Sequence, residues 1–171
     1  LEYQGIPIRL SHLVSHISGL PLFLPDNPNL FQNANFDTLP FTISKIQENY
    51  SQEKFMDDLH KVKLDTIPGF KFRYSNAGAQ LLKFILEKVY KMPYDKLLKK
   101  YISNPLKMKN TNSLYSNNNL KLLAKGYNDK GNIMPYNPQI LDAAGGIFST
   151  VQDMLNYIRF HLDETNPVVA L

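Results

Sequence analysis

Cysteine is absent from the 171 residues, which excludes disulfides, thiolate nucleophiles and any zinc site built on Cys. Tryptophan is absent as well. No apolar run approaches the roughly 18–20 residues that cross a bilayer, and no secretory signal segment is visible. Glycine-rich phosphate loops, helix-turn-helix and RNA-recognition signatures are missing, so the net charge of +4 has no nucleic-acid motif to accompany it. Eight of the sixteen lysines lie between Lys83 and Lys109. They read as the solvated face of one or two helices, with an anionic membrane or cell-wall surface as the remaining alternative.

The chain does have the means to build a core. Hydrophobic residues make up 43% and charged residues 20%, with ten Tyr and ten Phe, which is ordinary globular usage. The length suits one domain, so 1–171 is read as a single unit. Leu1 is not a Met, and Pro167-Val168-Val169-Ala170-Leu171 ends the chain on an apolar run without turn chemistry. Both ends are therefore expected to be cuts through a longer protein.

Periodicity predicts a mainly helical chain with one small hairpin. Pro7, apolar residues at 10, 13, 14 and 17, and Gly19 mark a short first helix. Residues 20–40, rich in Pro, Asn and Asp, read as a long loop of the kind that often borders a site. Ser51 caps a helix to about Val62, with Phe55, Met56 and Leu59 on its apolar side. A turn at Ile67-Pro68-Gly69 and a brief extended piece from Phe70 to Tyr74 follow. The strongest helix starts near Asn76 and is expected to bury Leu81, Leu82, Ile85, Leu86 and Val89. Pro93 opens another, reaching about Tyr101. Asn128-Asp129-Lys130-Gly131 carries hairpin-turn chemistry between 125–127 and 132–134. A last helix begins at Ser149-Thr150, where Ser149 with Gln152 or Thr150 with Asp153 can form a capping box. Its expected core face is Met154, Leu155, Ile158 and Leu162.

Four segments carry a resemblance. They are Leu13-Val14-Ser15-His16-Ile17-Ser18-Gly19-Leu20-Pro21, then Pro68-Gly69 with Phe72-Arg73-Tyr74-Ser75-Asn76. Pro105-Leu106-Lys107-Met108-Lys109-Asn110-Thr111 comes next, then Ala143-Ala144-Gly145-Gly146-Ile147-Phe148-Ser149-Thr150 with Asp153-Met154. In this order they resemble the serine β-lactamase and penicillin-binding-protein-like superfamily, nearest the class C lactamase and esterase branch. The resemblance implies the helical lobe of that fold, whose parent is α+β with helices packed on an antiparallel sheet.

It also implies a site. A serine that forms an acyl-enzyme needs a base, and a phenol with an ordinary pKa of roughly 10 serves only when cations stabilise its phenolate. Tyr74 is assigned that role by resemblance, together with proton return to the leaving group. Asn76, two residues on, offers an amide donor and acceptor to hold a substrate's acyl amide and orient a lysine. Taken alone, Tyr74 is also an ordinary packing residue and Asn76 an ordinary N-cap. Phe23, with Leu24 and the loop to Asp26, is expected at the substrate entrance by resemblance only. Gly145 and Gly146 read either as an anion site before a helix or as backbone passing close to the site's rim.

Other family elements are not found in these residues. The only Ser-x-x-Lys is Ser51-Gln52-Glu53-Lys54, downstream of its family position and opening a polar helix, so Ser51 is read as a cap. Neither Lys-Thr-Gly nor His-x-Gly occurs. His12 and His16 have the i, i+4 spacing of a metal pair, but no third ligand is evident. The resemblance places His16 in a structural position beside the Ser-Gly turn. No metal or organic cofactor is called for.

The expected function is that of part of a serine hydrolase of β-lactamase, D-Ala-D-Ala carboxypeptidase or esterase type. These residues would be inactive alone, and the expected location is a bacterial periplasm or envelope. A non-catalytic binding or scaffold protein on the same fold is the alternative. The expected partners are a small-molecule β-lactam, peptidoglycan peptide or ester, the rest of a parent chain, and a second copy of these residues by self-association, with no nucleic acid.

Overall fold

The computed structural model describes residues 1–32, 34–113, 121–136 and 139–169. It opens on an antiparallel pair, β1 (Glu2–Tyr3) and β2 (Ile6–Pro7), with Tyr3 opposite Ile6. Gln4 and Gly5 turn the chain with φ of 53° and 76°, the left-handed pair that a two-residue hairpin requires. This second hairpin was not expected. It absorbs Pro7, so the first helix, α1 (Leu10–Val14), starts later than the proline suggests and buries only Leu13.

The predicted loop of residues 20–40 contains a 3-10 turn, Pro28–Leu30, and ends in an unexpected helix, α2 (Leu39–Gln47). Pro40 sits in the first turn of α2, where a missing N–H costs nothing. The β-branched Thr42, Ile43 and Ile46 hide the helix from a propensity reading. Helix α3 (Gln52–Lys61) begins where expected, its first turn capped by Ser51 Oγ, which accepts from Lys54 N at 3.2 Å. Lys54 Nζ turns back to Asn49 O, which gives both polar residues of the Ser-x-x-Lys a local structural role.

The longest element is α4 (Asn76–Tyr90). Its N-cap is Ser75 rather than Asn76: Ser75 Oγ accepts from Gly78 N at 2.8 Å, and Asn76 is the first helical residue. Its buried side also departs from expectation. Ala77, Gln80 and Phe84 are enclosed, Leu81 and Ile85 flank them, and Val89 is exposed. The apolar stripe is wider than the contact, and neighbouring elements choose which part of it is enclosed.

Leu13, Leu20, Leu24, Phe55, Leu59, Leu64, Ala77 and Phe84 form one core, with Phe55 edge-on to Phe84 at 5.2 Å. Helix α4 crosses α1 on one side and a 3-10 segment, Gln139–Ala144, on the other. Helix α5 (Tyr94–Leu98) follows Pro93 and runs into a wider π turn, Lys99–Ser103.

The expected hairpin is present as β3 (Gly126–Tyr127) paired with β4 (Ile133–Met134). Asn128 Oδ1 accepts from Lys130 N and Asn132 N and so closes its turn. The last helix is α6 (Val151–His161), capped by Thr150. Of the two expected capping pairs, Thr150 with Asp153 forms one half: Thr150 Oγ1 accepts from Asp153 N at 3.3 Å. The expected core face of α6 is not buried: Met154, Leu155, Ile158 and Leu162 are 41–74% exposed. Asp153 is the residue of α6 that is enclosed.

Candidate functional site

Tyr74 and Asn76 flank Ser75 at the corner where the chain enters α4, and His16 grips that corner. Arg73 N donates to His16 O at 2.8 Å, and Ser75 N donates to His16 Nδ1 at 3.2 Å. The imidazole lies against the Tyr74 ring, with centroids 4.4 Å apart and planes tilted by 36°, and meets Phe72 edge-on at 6.1 Å. His16 reaches this pose through a left-handed backbone, φ 54°. Its neighbour in the metal-like spacing is otherwise engaged, since His12 Nδ1 accepts from Arg9 N at 3.2 Å. Among the described residues no cluster of three or more His, Cys, Asp or Glu is placed to hold a metal ion.

Further bonds pin the two motif segments together. Gly69 N donates to Ile17 O at 2.7 Å, and Ser75 Oγ donates to Pro21 O at 2.6 Å. Asn76 N donates to Leu22 O at 2.9 Å. Arg73 reaches Gly19 O and pairs with Asp65 at 2.8 Å, which holds the Asp65 carboxyl below its ordinary value. Glycine suits Gly69 because its φ of 96° is a backbone that L side chains rarely adopt, and a Cβ there would lie 3.2 Å from His12 Nε2. Arg73, Ser75 and Asn76 thus each donate a backbone N–H to His16 or Leu22, on either side of the Ser-Gly turn, and hold Tyr74 between them although 73–75 belong to no sheet.

The two side chains of the motif differ in setting. Tyr74 is 52% exposed, and its hydroxyl makes no hydrogen bond among the described residues. Asn76 is 8% exposed, and its side-chain amide is likewise unpartnered among the described residues. That amide lines a hollow of about 280 Å³ together with Phe23, Phe36, Leu39, Ile43 and Leu141. Phe23 also walls a second hollow of about 340 Å³, where it stacks on Phe31 at 5.8 Å and faces Lys63 and Arg73.

Gly145 and Gly146 line neither of these. They border a third hollow of about 580 Å³ with Lys109, Ile147 and Ser149, while the adjoining Ala144 touches the hollow of Asn76. Gly145 has φ 125°, and a Cβ on Gly146 would lie 2.4 Å from Asp142 Cα. Neither position tolerates a side chain.

Sequence reasoning missed what holds this rim. Lys83 of α4 pairs with Asp142 at 2.8 Å, nearly enclosed on both sides. Asp142 also accepts from Ala143 N. Burial pushes the Asp142 carboxyl up, and the Lys83 ammonium opposes that shift. Lys83 further lies over the Phe84 and Tyr94 rings at 5.6 and 5.8 Å. The signal was present as a lysine inside the apolar run Leu81 to Leu86, but its partner lies 59 residues away. Below the rim, Asp153 of α6 accepts from Asn110 N at 2.7 Å and Thr111 Oγ1 at 2.9 Å, and Thr111 Oγ1 lies 2.7 Å from Ser149 Oγ. These bonds tie the third motif segment to the fourth.

A fold whose first two motif segments are tied together at the Tyr74–Asn76 corner, and whose last two are tied together through Asp153, also has parallels among known proteins. The Beta-lactamase family model matches residues 1–170, and the chain belongs to that family, within the serine β-lactamase and penicillin-binding-protein-like superfamily. It is 28% identical over 160 residues to the D-alanyl-D-alanine-carboxypeptidase/endopeptidase AmpH of Escherichia coli, covering 94% of this chain and 38% of that protein. It is 33% identical to Beta-lactamase-like protein 2 of Dictyostelium discoideum, covering 92% of this chain and 27% of that protein. A crystal structure of a β-lactamase/D-alanine carboxypeptidase from Pseudomonas syringae shares the fold, with a TM-score of 0.70 at 22% identity over 91% of this chain and 38% of that one. The chain thus spans well under half the length of these relatives. Among the described residues no helix is long and apolar enough to cross a membrane.

Proposed function

We propose that residues 1–171 are the helical part of a serine hydrolase that forms an acyl-enzyme on β-lactams, D-Ala-D-Ala peptides or simple esters. The observation that carries this reading is the corner at 73–76, where an exposed phenol and, two residues on, an amide without a protein partner that borders a hollow are carried on a backbone pinned to residues 16–22. A packing tyrosine has no need of that fixation, whereas a base must stand within hydrogen-bond reach of the proton it takes.

In the proposed reaction the serine hydroxyl attacks the substrate carbonyl carbon and gives its proton to the Tyr74 phenolate. Tyr74 returns that proton to the departing amine or alcohol as the carbonyl–leaving-group bond breaks. Water then hydrolyses the ester. Asn76 holds the acyl group through its amide. The serine and lysine of Ser-x-x-Lys, and the strand cation of Lys-Thr-Gly or His-x-Gly, lie outside these residues, so 1–171 alone is inactive. No resident cofactor takes part. In this reading Phe23 lies at the substrate entrance, and Gly145 and Gly146, which border a different hollow adjoining it past Ala144, pass close to the site's rim. Names of bacterial lactamases and carboxypeptidases among the relatives support an envelope location. The exposed apolar face of α6 supports self-association of the isolated residues.

The test is the intact mass of the full-length protein after incubation with a penicillin and with an activated ester, beside residues 1–171. An adduct on the full-length protein and none on 1–171 is expected. No adduct and no turnover would leave a binding protein on a hydrolase fold. An adduct on residues 1–171 would overturn the structural reading of Ser51.

A further inference from the structure

We infer that the C-terminal end of α4, together with the π turn beside it, is a docking surface for an anionic phospholipid bilayer. Such docking is independent of what the Tyr74 corner catalyses.

The stretch from Lys83 to Lys109 holds eight lysines against two acids, Glu87 and Asp95. Both acids are occupied within the fold. Glu87 Oε1 accepts from Tyr94 N at 2.7 Å, and Asp95 pairs with Lys99 at 2.8 Å. Lys83 is taken by Asp142. Lys88, Lys91, Lys96 and Lys100 are exposed and form no ion pair among the described residues.

Folding brings two of these lysines to one place. The Tyr90 ring at the end of α4 meets the Tyr101 ring of the π turn edge-on at 5.6 Å. Lys100 Nζ lies 5.0 Å from the centre of the Tyr101 ring, and Lys91 follows Tyr90 as the C-cap of α4. Val89, Tyr90, Tyr101 and Ile102 are 40–68% exposed. Segments 89–91 and 100–102 each carry an aliphatic residue, a tyrosine and a lysine, all exposed, and the two tyrosines join them.

That combination sets the surface apart from a merely solvated face. Cations at a helix C-terminus suit its dipole, which accounts for Lys88 and Lys91 but not for Lys100 or the uncovered apolar side chains. Tyrosine is favoured where hydrocarbon meets headgroups, because its ring is apolar and its hydroxyl is wet. Val89 and Ile102 can enter the same boundary, while the lysines meet anionic headgroups. A nucleic acid would engage the lysines and the rings but leave the two aliphatic side chains without a partner.

Docking at this end also leaves the site open. Helix α4 spans 15 residues from Asn76 to Tyr90, so at about 1.5 Å per residue the Tyr74 corner stands roughly 20 Å along the helix from the docked end.

The test is co-sedimentation of the full-length protein with vesicles of phosphatidylcholine alone and with vesicles containing about one third phosphatidylglycerol. Binding to the anionic vesicles and little to the neutral ones is expected, and about 1 M salt should abolish most of it. Lys91→Gln/Lys100→Gln should weaken partition about 25-fold, or about fivefold for each lysine at an anionic surface. Val89→Ser/Ile102→Ser should weaken it several-fold at unchanged charge. Lys121→Gln/Lys125→Gln removes the same charge from exposed positions outside the surface and should change partition less than about twofold. Circular dichroism should be the same for all three variants and the native chain. Equal binding to both vesicle types, no binding to either, or equal losses from the two lysine pairs would overturn the inference. Tighter binding to a short single-stranded RNA than to anionic vesicles, with no loss in Val89→Ser/Ile102→Ser, would overturn it in favour of a nucleic-acid surface.

Discussion

Helices α4 and α6 make an instructive pair. Both are amphipathic, both start at a hydroxyl N-cap that accepts from the amide three residues on, and both carry apolar residues at helical spacing. Yet α4 encloses Ala77, Gln80 and Phe84, whereas α6 leaves Met154, Leu155, Ile158 and Leu162 in solvent and encloses an aspartate. Helix α4 is held by apolar packing of Ala77 and Phe84 in the core with Leu13 of α1, and by the Lys83–Asp142 pair to the 3-10 segment. Helix α6 is held at its first turn by Asp153 through Asn110 and Thr111. A periodic stripe shows which side of a helix is apolar, while the chain around it decides whether that side is covered.

The sharpest way to break this contrast is to remove side chains from each helix in residues 1–171. Phe84→Ala should cost about 3–5 kcal/mol in denaturant unfolding, whereas Leu155→Ala should stay within about 0.5 kcal/mol. Equal losses would mean that α6 is covered after all. Lys83→Met should cost about 3 kcal/mol by leaving a buried carboxylate unpaired, with the double variant Lys83→Met/Asp142→Leu recovering much of it. Asp153→Ala should cost about 2 kcal/mol, the penalty for two stranded donors, and should increase amide exchange at Asn110 before the core exchanges.

Much of this was legible in the sequence, and the parts that were not have physical reasons. Caps at Ser51 and Thr150 and the Asn128–Gly131 turn are local chemistry, decided within four residues. The ordered motif segments named the Tyr74 and Asn76 corner. The burial of α6 failed because amphipathicity carries no information about a neighbour. Helix α2 failed because residues 20–40 look like a loop until Pro40 is placed in a first turn. At the site, Phe23 was named and lies beside Asn76, but Phe36, Leu39 and Ile43 join them only through the fold. His16 was placed beside the turn, yet its contact with the Tyr74 ring depends on a left-handed backbone that its sequence does not announce.

The smallest expected effect separates charge from packing. Lys61 holds Asp58 below the ordinary carboxylate value of 3.8, and Arg73 does the same for Asp65. A folded-state pKa below the unfolded one gives stability that is full above the ordinary value and lost as pH falls through the folded value. Residues 1–171 should therefore show a modest fall in melting temperature as the pH drops below about 4. Asp65→Asn should flatten that fall slightly by lowering the neutral-pH value a little while leaving the acid value almost unchanged.

The most direct test of the central claim is the rate of acylation of the full-length protein by a chromogenic ester, measured before the steady state, for the native chain, Tyr74→Phe and Tyr90→Phe. A base at Tyr74 predicts a loss of about 10²–10⁴-fold in Tyr74→Phe, with Tyr90→Phe near the native rate. Acylation at the native rate in Tyr74→Phe would contradict the account.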